Sequence, residues 1–370
     1  MYGNMGRAKH YIHQPSIPFS IPRPAAVILV SVLAPALAAF SLAGTSPTSP
    51  TSAFQQHSAT AAQSDSSHSS GKKKTKSKST KSGKSSPTAD ADHVTPHHTP
   101  PAPAFTVTPL PNSILPGKRV VVYYGNPLSK RMGVLGEYPQ AEMLAKLQQE
   151  VKAFAAADPS KPVQPGLHLI VSVAQGAPGR GNTYRLRMRD SLIDYWCKLA
   201  ESKGYLMFLD VQVGHSTVQS ELQPLIPYLK RPYVHLALDP EFSMHHAVEG
   251  IVPGKKIGVM DAEEINYAIR TLADLVKQNH LSPKILVVHR FTQKMLTNYR
   301  DIRPVPEVQV VINMDGFGPP WLKRDSYEAY ERMQPVQFTG FKLFYKNDHP
   351  MLTPAQIVKL DPAPVFITFQ

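Results

Sequence analysis

The chain has 370 residues, with 40 Lys or Arg against 27 Asp or Glu and a net charge of +13. Its one cysteine, Cys197, excludes an intramolecular disulfide and any cysteine-rich zinc site. The basic balance does not argue for a specific nucleic-acid partner: residues 1–115 carry +7 of it, and no groove-reading motif accompanies the remaining +6.

Residues 1–24 form a basic segment containing Arg7, Lys9 and Arg23. Residues 25–44, AAVILVSVLAPALAAFSLAG, carry no charge. That polarity belongs to an export signal or to an amino-terminal membrane anchor. The length suits a membrane span, whereas Pro35 and the Ala36-Leu37-Ala38 ending suit a cleaved signal peptide. Both readings place the remainder outside the cytoplasm, secreted or held at the cell envelope. Residues 45–116 are rich in Ser, Thr, Lys and Pro and offer few apolar side chains to repay the entropy of ordering. A disordered linker is expected there, with His93, His97 and His98 solvated in its Pro-rich end.

Residues 117–370 change character, and eight apolar β-rich runs recur in them. They are VVVYYG (120–125), LIVSVAQG (169–176), YLMFLDVQVG (205–214), VHLALDPEF (234–242), ILVVHRF (285–291), VQVVINMDGFG (308–318), FTGFKLFYKND (338–348) and VFITFQ (365–370). Amphipathic stretches lie between them, notably 140–157, 188–204 and 261–281; in the last, Ile265, Ala268, Ile269, Leu272, Leu275 and Val276 make one helical stripe behind Asp261 as a cap. Buried strands alternating with helices imply parallel pairing, and eight such units in one domain predict a single (β/α)8 TIM barrel. The alternative, an open doubly wound sheet, lacks its phosphate fingerprint: VVYYGNPLSKRMG has neither the GxGxxG nor the GxxxxGK[ST] spacing. On the outer layer Cys197 is read as a small buried apolar residue.

In such a barrel the carboxyl ends of the strands build the site. This sequence places Asn126, Gln175, Asp210, Gln212, Asp239, Glu241, His289, Asp315 and Asp348 there. Parity sharpens the choice. If Leu236 and Leu238 face the helices, then His235, Ala237, Asp239 and Glu241 face the barrel axis. Pro240, which has no N–H, marks the end of pairing. Close carboxyl groups in a cleft drive their acidities apart, as acid–base chemistry on a glycosidic bond requires. Glu241 is therefore the expected acid, Asp239 its modulator, Asp315 its partner across the mouth, and Asp210 the next candidate. Asp210 has the plainer alternative of a salt bridge to Arg185 or Arg187. Substrate contacts are expected from Asn126, Gln175, Gln212, His289, Asp348 and the aromatic residues Phe317, Trp321 and Tyr345, whose rings can stack on sugars. No cofactor is expected. No metal is expected either, since His215, His245, His246 and His289 form no HxH or HExxH spacing.

Asp239-Pro240-Glu241 at the end of the fourth run resembles the D-x-E of the lysozyme-like family-25 glycoside hydrolases and, more loosely, of the chitinase-like family 18. Asp315 in MDGFG matches the sixth-strand Asp of family 25, and the FITFQ ending is similar to the aromatic-Gln ending of some of those barrels. The resemblance implies a catalytic acid at Glu241 with a contribution from Asp315. Where family 25 carries a first-strand Asp, VVVYYGNP offers Asn126. The expected function is thus a glycoside-hydrolase-like barrel whose partner is an envelope or extracellular polysaccharide, with residues 25–44 in the membrane if uncleaved. Two alternatives remain: a non-catalytic carbohydrate-binding or scaffold barrel, and a metal-assisted phosphodiester hydrolase using His215 or His289.

Overall fold

The computed structural model describes residues 99–244, 246 and 251–370. The expected basic segment, the apolar segment 25–44, residues 45–98 of the linker and His245 lie outside the described residues. Among the described residues no helix is long and apolar enough to cross a membrane.

Eight parallel strands close on themselves. In chain order they are β1 (Arg119–Gly125), β2 (Val163–Ala174), β3 (Leu206–Val211), β4 (Val234–Leu238), β5 (Lys284–Arg290), β6 (Val308–Met314), β7 (Phe338–Leu343) and β8 (Phe366–Phe369). Each pairs with its neighbours in sequence, and closure comes from β8 on β1, where Val120 faces Phe366 and Tyr123 faces Phe369. The fold is the predicted (β/α)8 TIM barrel. Its helices include α1 (Gln140–Ala157), α2 (Asp190–Ser202), α3 (Val218–Leu222), α4 (Ala262–Asn279), α5 (Pro320–Tyr327) and α6 (Pro354–Ile357). The connection from β5 to β6 departs from the repeat: it holds only single 3-10 turns, at Gln293–Met295 and Tyr299–Asp301, and a two-residue strand, Leu296–Thr297, paired with Met260–Asp261.

The alternation within each strand sorts the side chains into two layers. Leu236, Leu238, Leu286, Val288, Val310 and Ile312 point outward and pack beneath the helices, where α4 supplies the stripe from Ile265 to Leu275. Asp261 caps that helix in a capping box with Glu264, so the sequence reading of its start holds at the level of single atoms. Cys197 is buried in the same layer, where burial first of all pushes its thiol up to about 11. Val120, Val122, Phe208, Ala237, Ile285, Val287, Val311 and Phe366 point inward and fill the barrel. Small residues make this filling possible: a Cβ on Gly340 would stand 2.4 Å from Asn313 Oδ1, so only glycine leaves that amide its place inside.

The floor is closed by the chain that precedes β1. Leu115 is buried against the interior cluster, with Ile114 packed beside it. The backbone N–H groups of Ile114 and Leu115 both donate to Gln309 Oε1, at 3.1 and 3.2 Å, and Gln309 Nε2 donates back to the Leu115 carbonyl. A single inward side chain of β6 thus satisfies three polar groups of the plug. Replacing it with an isosteric apolar residue would orphan them where water cannot reach. Gln309→Leu is therefore expected to lower stability by about 2–4 kcal/mol in urea denaturation while far-UV circular dichroism stays native; a loss below about 0.5 kcal/mol would mean that the plug is held by apolar contact alone.

Candidate functional site

The apolar layer inside the barrel gives way, toward the carboxyl ends of the strands, to a layer of polar and mostly ionisable groups. Strand alternation puts Tyr124 of β1, His168 of β2, Asp210 of β3, His289 of β5, Asn313 of β6 and Lys342 of β7 in this layer. Asp239 and Asp315 follow directly on β4 and β6, and both remain buried, at 3% and 8% exposure. Asp210 and both histidines are at 0%. Glu241, in a 3-10 turn (Pro240–Phe242), is half-buried and is the carboxyl group nearest solvent.

That turn is fixed from three sides. Asp239 accepts a hydrogen bond from the Glu241 N–H through Oδ1 at 3.1 Å, and its Oδ2 lies 3.5 Å from Gln212 Nε2. The Phe242 carbonyl accepts from Gly214 N at 2.8 Å, and the Glu241 carbonyl accepts from Gly258 N at 2.6 Å. Gly258 packs so tightly there that an added Cβ would lie 2.4 Å from the Pro240 carbonyl oxygen. The long loop after β4 thus returns to clamp the turn that carries Glu241.

The charges form a chain across the mouth. Lys342 Nζ sits 2.9 and 3.1 Å from the two oxygens of Asp315 and 3.9 Å from the centre of the Tyr124 ring. His289 Nδ1 lies 3.0 Å from Asp315 Oδ2, and its Nε2 lies 3.7 Å from Asp210 Oδ1. His168 Nε2 stands 3.8 Å from the same Asp210 oxygen. Those last two separations are too long for hydrogen bonds.

This arrangement divides the carboxyl groups into two protonation classes. Burial would raise Asp315, but the Lys342 charge and His289 hold it below the ordinary carboxylate range. Glu241 has no such cation in contact; burial and then the Asp315 charge push it up to about 8, with Lys342 opposing. Asp239 is pushed well above its ordinary value by burial, Asp210, Glu241 and Asp315. Burial, followed by the carboxyl groups of Asp210, Asp239 and Asp315, raises the Tyr124 phenol as well. Burial and then the Asp315 charge lift Glu241, and the Glu241 carboxyl is in turn among the groups that lift Asp239.

Of the expected site residues, Asp210, Gln212, Asp239, Glu241, His289 and Asp315 come together. The others are drawn off. Asn126 donates to the Ile170 carbonyl at 3.0 Å and accepts from Leu128 N, so it shapes its own loop. Gln175 donates to the carbonyls of Val173 and Ala174. Tyr345 stacks on Phe369 of the outer layer and shares its hydroxyl with Tyr123 and Glu150. Trp321 is 58% exposed at the start of α5, and Phe317 packs edge-on against Phe344. Asp348 lies five residues beyond the end of β7, because the strand stops at Leu343 although the apolar run continues. It is buried, accepting from the N–H groups of Gly318 and Phe344 and paired with Lys323 at 3.0 Å. Asp210 does not meet Arg185 or Arg187: both arginines bind Glu221, at 2.7 and 2.8 Å.

Three members of the layer were not anticipated as site residues: His168, Asn313 and Lys342. Parity carried the signal for two of them. His168 in GLHLIVS and Lys342 in TGFKLF each interrupt an apolar strand at an inward position.

The chain matches no protein-family model and no curated protein.

Because Lys342 is the cation in contact with Asp315, removing it strands a buried carboxylate. Lys342→Met is expected to cost about 3–5 kcal/mol in chemical denaturation, and adding Asp315→Asn to recover a large part of that loss. Additive losses in the double variant would show that the two groups do not interact.

Proposed function

We propose that this barrel is an exported glycoside-hydrolase-like protein acting on cell-envelope or extracellular polysaccharide, with Glu241 as general acid. The single observation that carries this reading is the pairing at one rim of a carboxyl group held protonated, Glu241, with one held ionised, Asp315. Glycosidic cleavage needs both. Glu241, nearest solvent, would give its proton to the leaving oxygen. Asp315, anchored by Lys342, would face the positive charge that develops at the sugar carbon. The same two positions carry the resemblance to family 25. The apolar segment 25–44, with the basic residues before it, supports export and either release or anchoring at the envelope.

A second reading, a carbohydrate-binding barrel without turnover, is favoured by one observation. Asn126 stands where family 25 has its first-strand Asp, and its amide is committed to the Ile170 carbonyl.

Reducing-end release from peptidoglycan and chitin-type oligosaccharides separates the two. On the hydrolase reading, Glu241→Gln lowers kcat by about 100-fold or more with KM little changed. The acid must be protonated to act, so kcat/KM should fall as pH rises through about 8. Glu241→Gln protein that works as well as the unmodified chain would refute the assignment, and glycan binding without product release would establish the second reading.

A further inference from the structure

The floor of the ionisable layer holds three ligand-type atoms whose arrangement the acid–base reading does not use. His168 Nε2 and His289 Nε2 stand 3.8 and 3.7 Å from Asp210 Oδ1, and one ligand atom from each of these three residues, on three different strands, lies within 4.8 Å of the others. None of the three residues is exposed to any degree, and none of the three atoms has a hydrogen-bond partner. A carboxylate buried with both oxygens unsatisfied is costly, and two imidazoles aimed at it without touching it do not repay the cost. We infer that His168, Asp210 and His289 form a binding site for one divalent first-row transition-metal ion of the zinc class.

The protonation geometry of His289 fits this role. Its Nδ1 lies 3.0 Å from Asp315 Oδ2, and an ionised carboxylate can only accept, so Nδ1 carries the hydrogen and Nε2 presents its lone pair to the cluster. Asn313 Nδ2, 3.4 Å from the same Nδ1, is the weaker neighbour, and its amide can turn. A carboxylate behind a ligating histidine is the usual outer support of such sites. The donor set also selects the ion. Two imidazoles and one carboxylate suit zinc and its neighbours, whereas magnesium and calcium want oxygen-rich shells. Ligand atoms around a tetrahedral zinc stand about 3.4 Å apart, so the 3.7 and 3.8 Å separations need to close by only a few tenths of an ångström. Tyr124, whose ring centre is 5.0 Å from that of His168 and 5.8 Å from that of His289, walls the site on the β1 side. No HxH spacing announces the set, because the barrel brings its members together from positions 168, 210 and 289.

The test is the metal content of the full chain purified without an oligohistidine tag, stripped with chelator, and titrated with Zn2+ and Co2+. About one equivalent per chain is expected, retained in the His93→Gln/His97→Gln/His98→Gln variant of the tail and reduced to below about 0.1 in His168→Gln/His289→Gln. X-ray absorption on the unmodified zinc-loaded chain should show two imidazole ligands, a readout that stands even if the barrel double variant fails to fold. Folded unmodified protein that takes up no metal, metal lost with the tail histidines, or a zinc shell without two imidazoles would overturn the assignment. None of these measurements depends on glycan hydrolysis.

Discussion

A closed parallel barrel obliges every inward side chain to find its partner on another strand. Water cannot reach the interior to solvate a stray charge, and the neighbour two residues along the same strand belongs to a different layer. Below the level of His168 the chain meets this constraint with apolar side chains and the Gln309-bound plug. Above it the sequence places cations, carboxyl groups and imidazoles, and closure brings them into contact. The Lys342–Asp315 pair is the most direct consequence. It joins β7 to the end of β6, fixes Asp315 as an anion, and through that anion sets the acidity of Glu241 and the orientation of the His289 ring.

Depth then decides chemistry. Asp210 lies deepest, Asp239 and Asp315 higher, and Glu241 in a turn that reaches toward solvent. The group most accessible to a substrate is one held protonated, and the anion beside it is already committed to a cation. Such an arrangement gives a proton to a bound molecule more readily than it removes one. Asp239, buried and with its carboxyl pushed well above its ordinary value, ties its own turn together by accepting from Glu241 N–H. The D-x-E stretch therefore combines a turn-capping residue and a half-buried acid, and the intervening proline ends the strand at the point where the two diverge.

Much of this was legible in the amino-acid sequence because two periodicities were clean. Apolar runs alternating with amphipathic stretches gave strand number, and hence the barrel. Within VHLALDPEF, the two-residue alternation put Asp239 on the axis. What failed was the position of strand ends. The apolar run 338–348 outlasts β7 by five residues, so Asp348, expected at the mouth, instead closes a turn with Lys323. Likewise the run beginning at Leu169 understated β2, which starts six residues earlier, and so His168 was passed over. Relations between strands were not legible at all. That Arg185 and Arg187 serve Glu221 rather than Asp210, or that positions 168, 210 and 289 converge, depends on register and closure, which no local pattern encodes.

The proposed chemistry at this rim rests on a difference in protonation between the carboxyl groups of Glu241 and Asp315. Carbon-13 NMR of the side-chain carboxyls, assigned by comparing the unmodified chain with Glu241→Gln and Asp315→Asn, measures that difference directly. Glu241 should titrate near 8 and Asp315 below the ordinary carboxylate range. A Glu241 resonance that titrates near 4.5, the ordinary value for a glutamate, would contradict it.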